Sequence, residues 1–324
     1  MVHAVRFHRT GGPEVLVWEA VEVGAPGPGE VRLRHTAVGL NFVDTYYRSG
    51  LYPTPLPSGL GGEGAGVVEA VGPGVRGLKA GDRVAYGAAP LGAYAQVRLI
   101  PADRLVKLPD GIDDSTAAAM MLKGLTAQYL IRQTHRLKRG DTILLHAAAG
   151  GVGLILSQWA KHLGATVIGT VSSDAKAEVA RAHGCDHVIV YTREDFVQRV
   201  AAITTGRKVS VVYDSVGRDT FLKSLDCCAP RGLVVLFGQA SGAVEPFSPA
   251  LLQARGSLYV TRPTLYTYAA TRASLARMAR ELFAVVQSGA VKITVNQTYP
   301  LHEAARAQAD LEARRTTGST VLLV

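Results

Sequence analysis

The sequence predicts an α/β fold in which a doubly wound parallel sheet is joined to a mostly antiparallel β domain, and three observations carry that expectation. The chain has 324 residues, beyond the usual size of one domain and enough for a buried core in each of two. After Thr126 apolar strands alternate with helical stretches, which specifies parallel strands linked by crossover helices. Before that point short Val, Leu and Arg alternations are broken by Gly and Pro, the mark of antiparallel β structure.

Residues 1–124 form the first expected domain, with little long helix; Gly27-Pro28-Gly29-Glu30 ahead of Val31-Arg32-Leu33-Arg34 is its representative turn and strand. Within residues 125–261 the expected strands are Thr142–His146, Thr166–Val171, His187–Tyr191, Ser210–Asp214 and Leu233–Phe237. Residues 262–324 are expected to return to the first domain through an amphipathic helix, Thr271–Ser288, then a helix Leu301–Glu312 and a strand Thr320–Val324. No repeat, low-complexity tract or linker interrupts the chain, so helices should join the domains and a cofactor should lie in the cleft between them.

Composition narrows the function. An apolar content of 48% against 19% charged residues excludes disorder. The longest uncharged stretch, Thr142 to Ala160, contains His146, three glycines, Ser157 and Gln158, so it reads as buried strand plus helix, with no membrane span. Met1-Val2-His3-Ala4-Val5-Arg6-Phe7 lacks the pattern of a secretory signal, and a cytoplasmic location is expected. Cys185, Cys227 and Cys228 are too few for a disulfide framework and should be free thiols. The net charge of +9 comes from singly scattered basic residues, which argues against a nucleic-acid surface and suits an anionic cofactor. The chain has 26 arginines against 9 lysines and only two asparagines, which draws attention to Asn41.

The strongest motif is Ala147-Ala148-Ala149-Gly150-Gly151-Val152-Gly153, directly after the strand Thr142–His146 and opening a helix that holds Ile155, Trp159 and Leu163. A dinucleotide site needs a tight turn and close backbone approach, so that free N–H groups at the positive end of a helix receive the pyrophosphate. Ala148, Gly150, Gly151, Val152 and Gly153 are therefore candidate cofactor residues of a Rossmann domain, although the spacing departs from the strict G-x-G-x-x-G.

An NAD site ends its second strand with a carboxylate for the ribose hydroxyl, whereas Thr166–Val171 runs into Ser172-Ser173-Asp174-Ala175-Lys176. Ser172, Ser173 and Lys176 offer donors and positive charge to a 2′-phosphate. One charge-assisted contact of this kind is worth about 1.5 to 3 kcal/mol, roughly tenfold to a hundredfold in affinity. This favours NADPH over NADH; Asp174 and a plain capping role for Ser173 weigh against it.

At these residues the sequence resembles the medium-chain dehydrogenase/reductase superfamily, and within it the NADPH:quinone oxidoreductases that include zeta-crystallin, the bacterial members most of all. The resemblance covers the whole chain. It rests on the run Gly140 to Gly153 continued to Gln158 and Lys161, on Asn41-Phe42-Val43-Asp44, Gly50-Leu51-Tyr52-Pro53, Gly62-Glu63-Gly64-Ala65-Gly66, Lys123-Gly124-Leu125-Thr126-Ala127 and Val212-Tyr213-Asp214-Ser215-Val216-Gly217. It implies a GroES-like catalytic domain beside the Rossmann domain and a homodimer. The strand Ser257-Leu258-Tyr259-Val260 at the sheet edge would serve pairing across a two-fold axis.

Zinc alcohol dehydrogenases of the same superfamily place a cysteine where Asn41 stands and a histidine where Gly62 stands, and carry a four-cysteine lobe absent here. No catalytic metal is expected without those ligands. His183-Gly184-Cys185-Asp186-His187 imitates a metal site but falls where a helix should end and a strand begin, so a structural turn explains it.

The resemblance implies that Lys123, Thr126, Ser172, Lys176, Tyr191, Ser215, Phe237, Gln239 and Arg314 flank the cofactor. It also implies that Asn41 to Tyr52 lines the acceptor pocket, where Tyr46 and Tyr52 offer flat faces and hydroxyls to a quinone and Asn41 and Asp44 orient them. Packing alone also accounts for a single tyrosine there. Quinone reduction asks for positioning and exclusion of water more than for a strong acid or base. Two other functions use the same cofactor site: reduction of an activated C=C bond in an enone or enal, separated by acceptor screening, and a non-catalytic NADPH- or RNA-binding role, separated by salt-sensitive RNA binding.

Overall fold

The computed structural model describes residues 1–324 and divides into two compact units: Met1–Leu125 with Ala269–Gln287 and Ile293–Val324, and Thr126–Tyr268 with Ser288–Lys292.

The second unit is built on a six-stranded, wholly parallel sheet. Across the sheet the strands run His187–Val190, Thr166–Val171, Thr142–Leu145, Val209–Asp214, Cys228–Leu236 and Tyr259–Thr261. The chain enters at Thr142–Leu145, winds outward to His187–Val190, then returns to start the other half at Val209–Asp214. Strand order thus reverses between Thr142–Leu145 and Val209–Asp214, the topological switch point at which doubly wound sheets bind ligands. Because helices cover both faces, the central strands read as nearly unbroken apolar runs, and Leu144, Ile168, Val212 and Val234 are completely buried. Bounds differ from the expected ones by a residue or two, except that Cys228–Leu236 starts well before Leu233 and the edge strand is Tyr259–Thr261.

The first unit holds a seven-stranded sheet and a three-stranded one. The eleven-residue strand Glu30–Leu40 is its axis, pairing antiparallel with Gly64–Val71, Val97–Pro101 and Ser319–Leu323. Phe7, Val31, Leu33, Leu60, Tyr86 and Tyr94 form its core with Leu301, Ala304 and Leu322 from the end of the chain. The helix expected at Thr271–Ser288 is Arg272–Gln287. The final helix is a short 3-10 turn, Leu301–Glu303, followed by Ala304–Glu312.

Three elements depart from the expectation. Asp114–Tyr129 is a sixteen-residue helix where little long helix was expected, and it runs without a break across residues 124 and 125 into the π-turn Leu130–Thr134. Its residues Ala117–Met121, Leu125 and Ala127 are all buried, so no one-sided apolar stripe marks it in the sequence. Gly124 belongs to it because an added Cβ would stand 2.5 Å from Leu282 of Arg272–Gln287. Phe42–Ser49 is a second unexpected helix, and Val295–Pro300 an unexpected strand, parallel to Ser319–Leu323.

Candidate active site

The Rossmann unit supplies four segments at the C-terminal ends of its strands. The first follows Thr142–Leu145: Ala147 takes a left-handed conformation (φ 53°), the Gly150 amide returns to Ala147 O at 2.9 Å, and the helix Gly151–His162 begins. Its N-cap, Gly150, has no side chain to accept from the first amides, so those N–H groups and the positive helix end are left for an outside anion. Gly153 seats this helix on the turn: an added Cβ would lie 2.5 Å from Ala147 O and 2.6 Å from Ala148 O.

The second segment follows Thr166–Val171. Ser172, Ser173 and Lys176 are half-buried, and Tyr191, at the end of the next strand, is 41% exposed. Ser173 caps the helix Asp174–Ala182, its Oγ accepting from Lys176 N at 3.4 Å. The capping role is therefore real; the hydroxyl proton stays available to a ligand. Asp174 is held in a two-pronged ion pair by Arg193, which keeps its carboxyl below the usual range. The carboxylate that weighed against a 2′-phosphate is thus neutralised by a partner 19 residues away.

Ser215, in the third segment, follows the buried Asp214, whose Oδ1 accepts from Val216 N at 2.8 Å and Gly217 N at 3.0 Å. The fourth is Leu236–Gln239, where the Phe237 amide donates to Asp214 O at 2.9 Å. Beside it a cavity of about 240 Å³ is lined by Leu236, Gly238, Gln239, Ala243, Val244 and Arg262. Arg262 Nη1 donates to Leu236 O and Gly238 O at 3.0 and 3.1 Å. Arg262 was not singled out in the sequence, where it is one scattered arginine among many. Thr126, also of this unit, is buried in the last turn of the helix Asp114–Tyr129.

In the other unit the acceptor candidates sit on or just beside the helix Phe42–Ser49. Asn41 and Asp44 form its capping box, with Asn41 N donating to Asp44 Oδ2 at 2.9 Å. Asp44 Oδ2 also accepts from Tyr94 OH at 2.8 Å, and Oδ1 is buried without a partner. Asn41 and Asp44 thereby fix the start of the helix that carries Tyr46. Tyr46 is buried and Tyr52 half-buried, packed edge to face at 5.3 Å, with Phe42 and Tyr47 extending the cluster. Arg48, 2% exposed, ties the same helix to Ala304–Glu312 through Gln308 Oε1 at 2.5 Å and Glu312 Oε1 at 2.7 Å. Arg314 lies exposed just beyond, in a left-handed turn (φ 58°).

Glu63 is the residue that sequence reasoning missed. It is completely buried, and its carboxylate takes Asn41 Nδ2, Lys123 Nζ and Leu122 N, each at 2.7 Å. Lys123, expected beside the cofactor, is thereby fixed as a buried cation at the Asn41 end of the acceptor helix. The available signal was a lone carboxylate inside the glycine run Gly62-Glu63-Gly64.

Burial pushes the Asp44 carboxyl up to about 7, against the opposing bonds from Asn41 N and Tyr94 OH and the charge of Lys123. A carboxyl raised from 3.8 binds more protons folded than unfolded between those two values. Stability from this group therefore falls as pH rises through that window and levels off above it. Asp44→Asn is expected to flatten the slope, measured as the change in urea-unfolding free energy between pH 5 and pH 8; the same slope in both proteins would refute the assignment.

No group of three His, Cys, Asp or Glu side chains is placed to share a metal ion. At the imitation site Gly184 is left-handed (φ 97°) and His183 Nδ1 donates to Val179 O at 2.7 Å, so the segment is a helix-ending turn.

Residues 27–110 match the family model for the alcohol dehydrogenase GroES-like domain, and residues 151–281 the model for zinc-binding dehydrogenases. The quinone oxidoreductase of Pseudomonas aeruginosa is 58% identical over the full length of both chains. A 2-haloacrylate reductase from Burkholderia sp is 51% identical, across all of this chain and 99% of its own. The crystal structure of Escherichia coli quinone oxidoreductase complexed with NADPH superposes with a TM-score of 0.98 at 51% identity, covering 99% of this chain and all of that one. Likeness of this extent leaves one assignment: the chain belongs to the quinone oxidoreductase family of the medium-chain dehydrogenase/reductase superfamily.

Proposed function

We propose that the protein is an NADPH-dependent quinone reductase. The observation that carries this reading is the uncapped helix start at Gly150–Gly153 together with the second strand end, which presents Ser172, Ser173 and Lys176 and whose one carboxylate, Asp174, is paired with Arg193. These residues fit NADPH: amides and a helix dipole for the pyrophosphate, hydroxyls and an ammonium for the 2′-phosphate. The E. coli relative solved with NADPH supports the same choice, and the relatives' names support the quinone.

When bound, NADPH would supply a hydride, or its equivalent as single electrons and a proton, which with one proton from solvent turns a quinone into a hydroquinone. The chain's own contribution is placement. Tyr46 and Tyr52, held at a fixed edge-to-face angle by the Asn41–Asp44 cap and by Arg48, form a rigid apolar wall for a planar acceptor. Ser215, Phe237, Gln239, Tyr191, Thr126, Lys123 and Arg314 are proposed as the remaining cofactor contacts.

Lys176→Ala is expected to raise KM for NADPH about tenfold to a hundredfold and leave KM for NADH unchanged, measured by steady-state kinetics with both cofactors. Equal effects on the two would remove Lys176 from the 2′-phosphate site.

The 2-haloacrylate relative favours a second reading, reduction of an activated C=C bond. Comparing kcat/KM for a benzoquinone, a naphthoquinone, an enone and a 2-haloacrylate separates them. Quinones are expected to lead by at least tenfold, and turnover confined to the alkenes would transfer the function to double-bond reduction.

The edge strand Tyr259–Thr261, with Tyr259 62% exposed, supports a homodimer, which light scattering giving the mass of one chain would refute. No helix is long and apolar enough to cross a membrane. Three buried, unbridged thiols support a reducing, cytoplasmic setting, which co-fractionation with periplasmic markers would refute.

A further inference from the structure

Four polar side chains lie in a row inside the Rossmann unit, all at most 1% exposed: Thr170, His146, Ser224 and Asp214. Thr170 Oγ1 stands 2.9 Å from His146 Nδ1, His146 Nε2 stands 3.0 Å from Ser224 Oγ, and Ser224 Oγ stands 3.0 Å from Asp214 Oδ2. The row resembles a catalytic triad in composition only. Its order puts serine between histidine and aspartate, and every member is sealed from substrate.

The direction of the bonds follows from counting protons. A serine hydroxyl has one, and Ser224 gives it to the Asp214 carboxylate. His146 Nε2 must then be the donor to Ser224, which leaves Nδ1 as an acceptor for the Thr170 hydroxyl. Burial lowers the imidazole's affinity for a second proton, so the ring stays neutral. The result is a one-way chain, Thr170 to His146 to Ser224 to Asp214. It ends on a carboxylate that also accepts from Thr220 Oγ1 and from the amides of Val216 and Gly217.

Each strand-borne member stands at the root of a candidate cofactor segment. His146 directly precedes Ala147–Gly153, Thr170 lies two residues before Ser172, and Asp214 directly precedes Ser215. Among these three strands the paired positions end at Leu145 with Gly169 and Leu145 with Tyr213. Beyond them the His146 amide donates to Tyr213 O at 3.0 Å and the Ala148 amide to Thr170 O at 3.1 Å, so the buried side-chain row adds to a thinning set of backbone ties. A buried chain of directed bonds costs energy at every broken link, because each freed group is left unpaired away from water.

We infer that this chain is a positioning device that sets the pyrophosphate turn, the 2′-phosphate segment and the Ser215 loop in register with one another, His146 and Ser224 being its linking residues. Where it concerns affinity, the inference rests on the NADPH reading above.

Ser224→Ala removes one oxygen and breaks the chain with the least disturbance to packing. The Kd for NADPH, measured by isothermal titration, is expected to rise about tenfold. The kinetic loss should fall on KM for NADPH and not on kcat, and Ser224→Thr, which keeps the hydroxyl, should recover most of it. Hydrogen exchange of the ligand-free protein should quicken at residues 147–153 and 215–217 and stay unchanged at residues 41–52 of the other unit. That readout tests the register even if wild type were to bind another dinucleotide. Unchanged affinity and exchange, or exchange quickened uniformly over the unit, would overturn the inference. Nitrogen NMR of wild type gives an independent check: His146 is expected as the neutral Nε2–H tautomer at neutral pH, and an Nδ1–H tautomer would reverse the chain and refute it.

Discussion

A Gly153→Ala chain is expected to bind NADPH about a hundredfold more weakly than wild type while Gly150→Ala loses less than tenfold. The contrast is between two glycines of one turn. At Gly153 a Cβ would press on the carbonyl oxygens of Ala147 and Ala148 at 2.5 and 2.6 Å, and on the Ala148 carbonyl carbon at 2.8 Å. These are backbone atoms and cannot rotate aside, and Ala147 already holds a left-handed conformation. The helix Gly151–His162 must then lift off the turn, and its first amides lose their common aim. Two charge-assisted bonds weakened together account for about 3 kcal/mol, roughly a hundredfold. At Gly150 the nearest atom to an added Cβ is Ala147 O at 3.2 Å, a contact that small shifts relieve. Fluorescence titration with NADPH measures both; equal losses, or an unaffected Gly153→Ala, would refute the assignment of this turn to the pyrophosphate.

Glu63→Ala is expected to destabilise the first unit by about 3 to 5 kcal/mol, the cost typical of breaking a buried ion pair on one side. Removing the carboxylate leaves the Lys123 ammonium, 4% exposed, without its counter-charge and frees Asn41 Nδ2 and Leu122 N in the interior. Adding Lys123→Met to the same chain should restore part of the loss, since an apolar pair is tolerated where a lone charge is not. Guanidinium unfolding followed by circular dichroism provides the comparison. A loss below about 1 kcal/mol in the single variant would mean that the pair is solvated and does not order the Asn41 end of the acceptor helix.

What was legible in the sequence follows from how local the cause is. The glycine turn is read from neighbours in the chain, because one short segment must both close tightly and expose its amides. Arg272–Gln287 announces itself by an apolar stripe at helical spacing, with Leu275, Met278, Ala279, Leu282 and Phe283 buried. Asp114–Tyr129 has no stripe, because it is buried on nearly every side. Asn41 and Asp44 carried a capping signal three residues apart, but their chemistry drew attention ahead of their geometry. The partners of Glu63 were illegible for a different reason, although its place in the glycine run set it apart. Its partners Asn41 and Lys123 are 22 and 60 residues away, so only the folded chain brings them together. The same holds for Arg193, whose pairing with Asp174 changes the electrostatics of the candidate 2′-phosphate site from a partner one strand further on.

The most direct test is the oxidation of NADPH by 1,4-benzoquinone in the presence of purified protein, followed by absorbance with and without a strong metal chelator. The account predicts quinone-dependent oxidation at the same rate in both conditions, with NADPH favoured over NADH by at least about tenfold. Absence of quinone-dependent oxidation, or activity that disappears with chelator and returns with zinc, would contradict it.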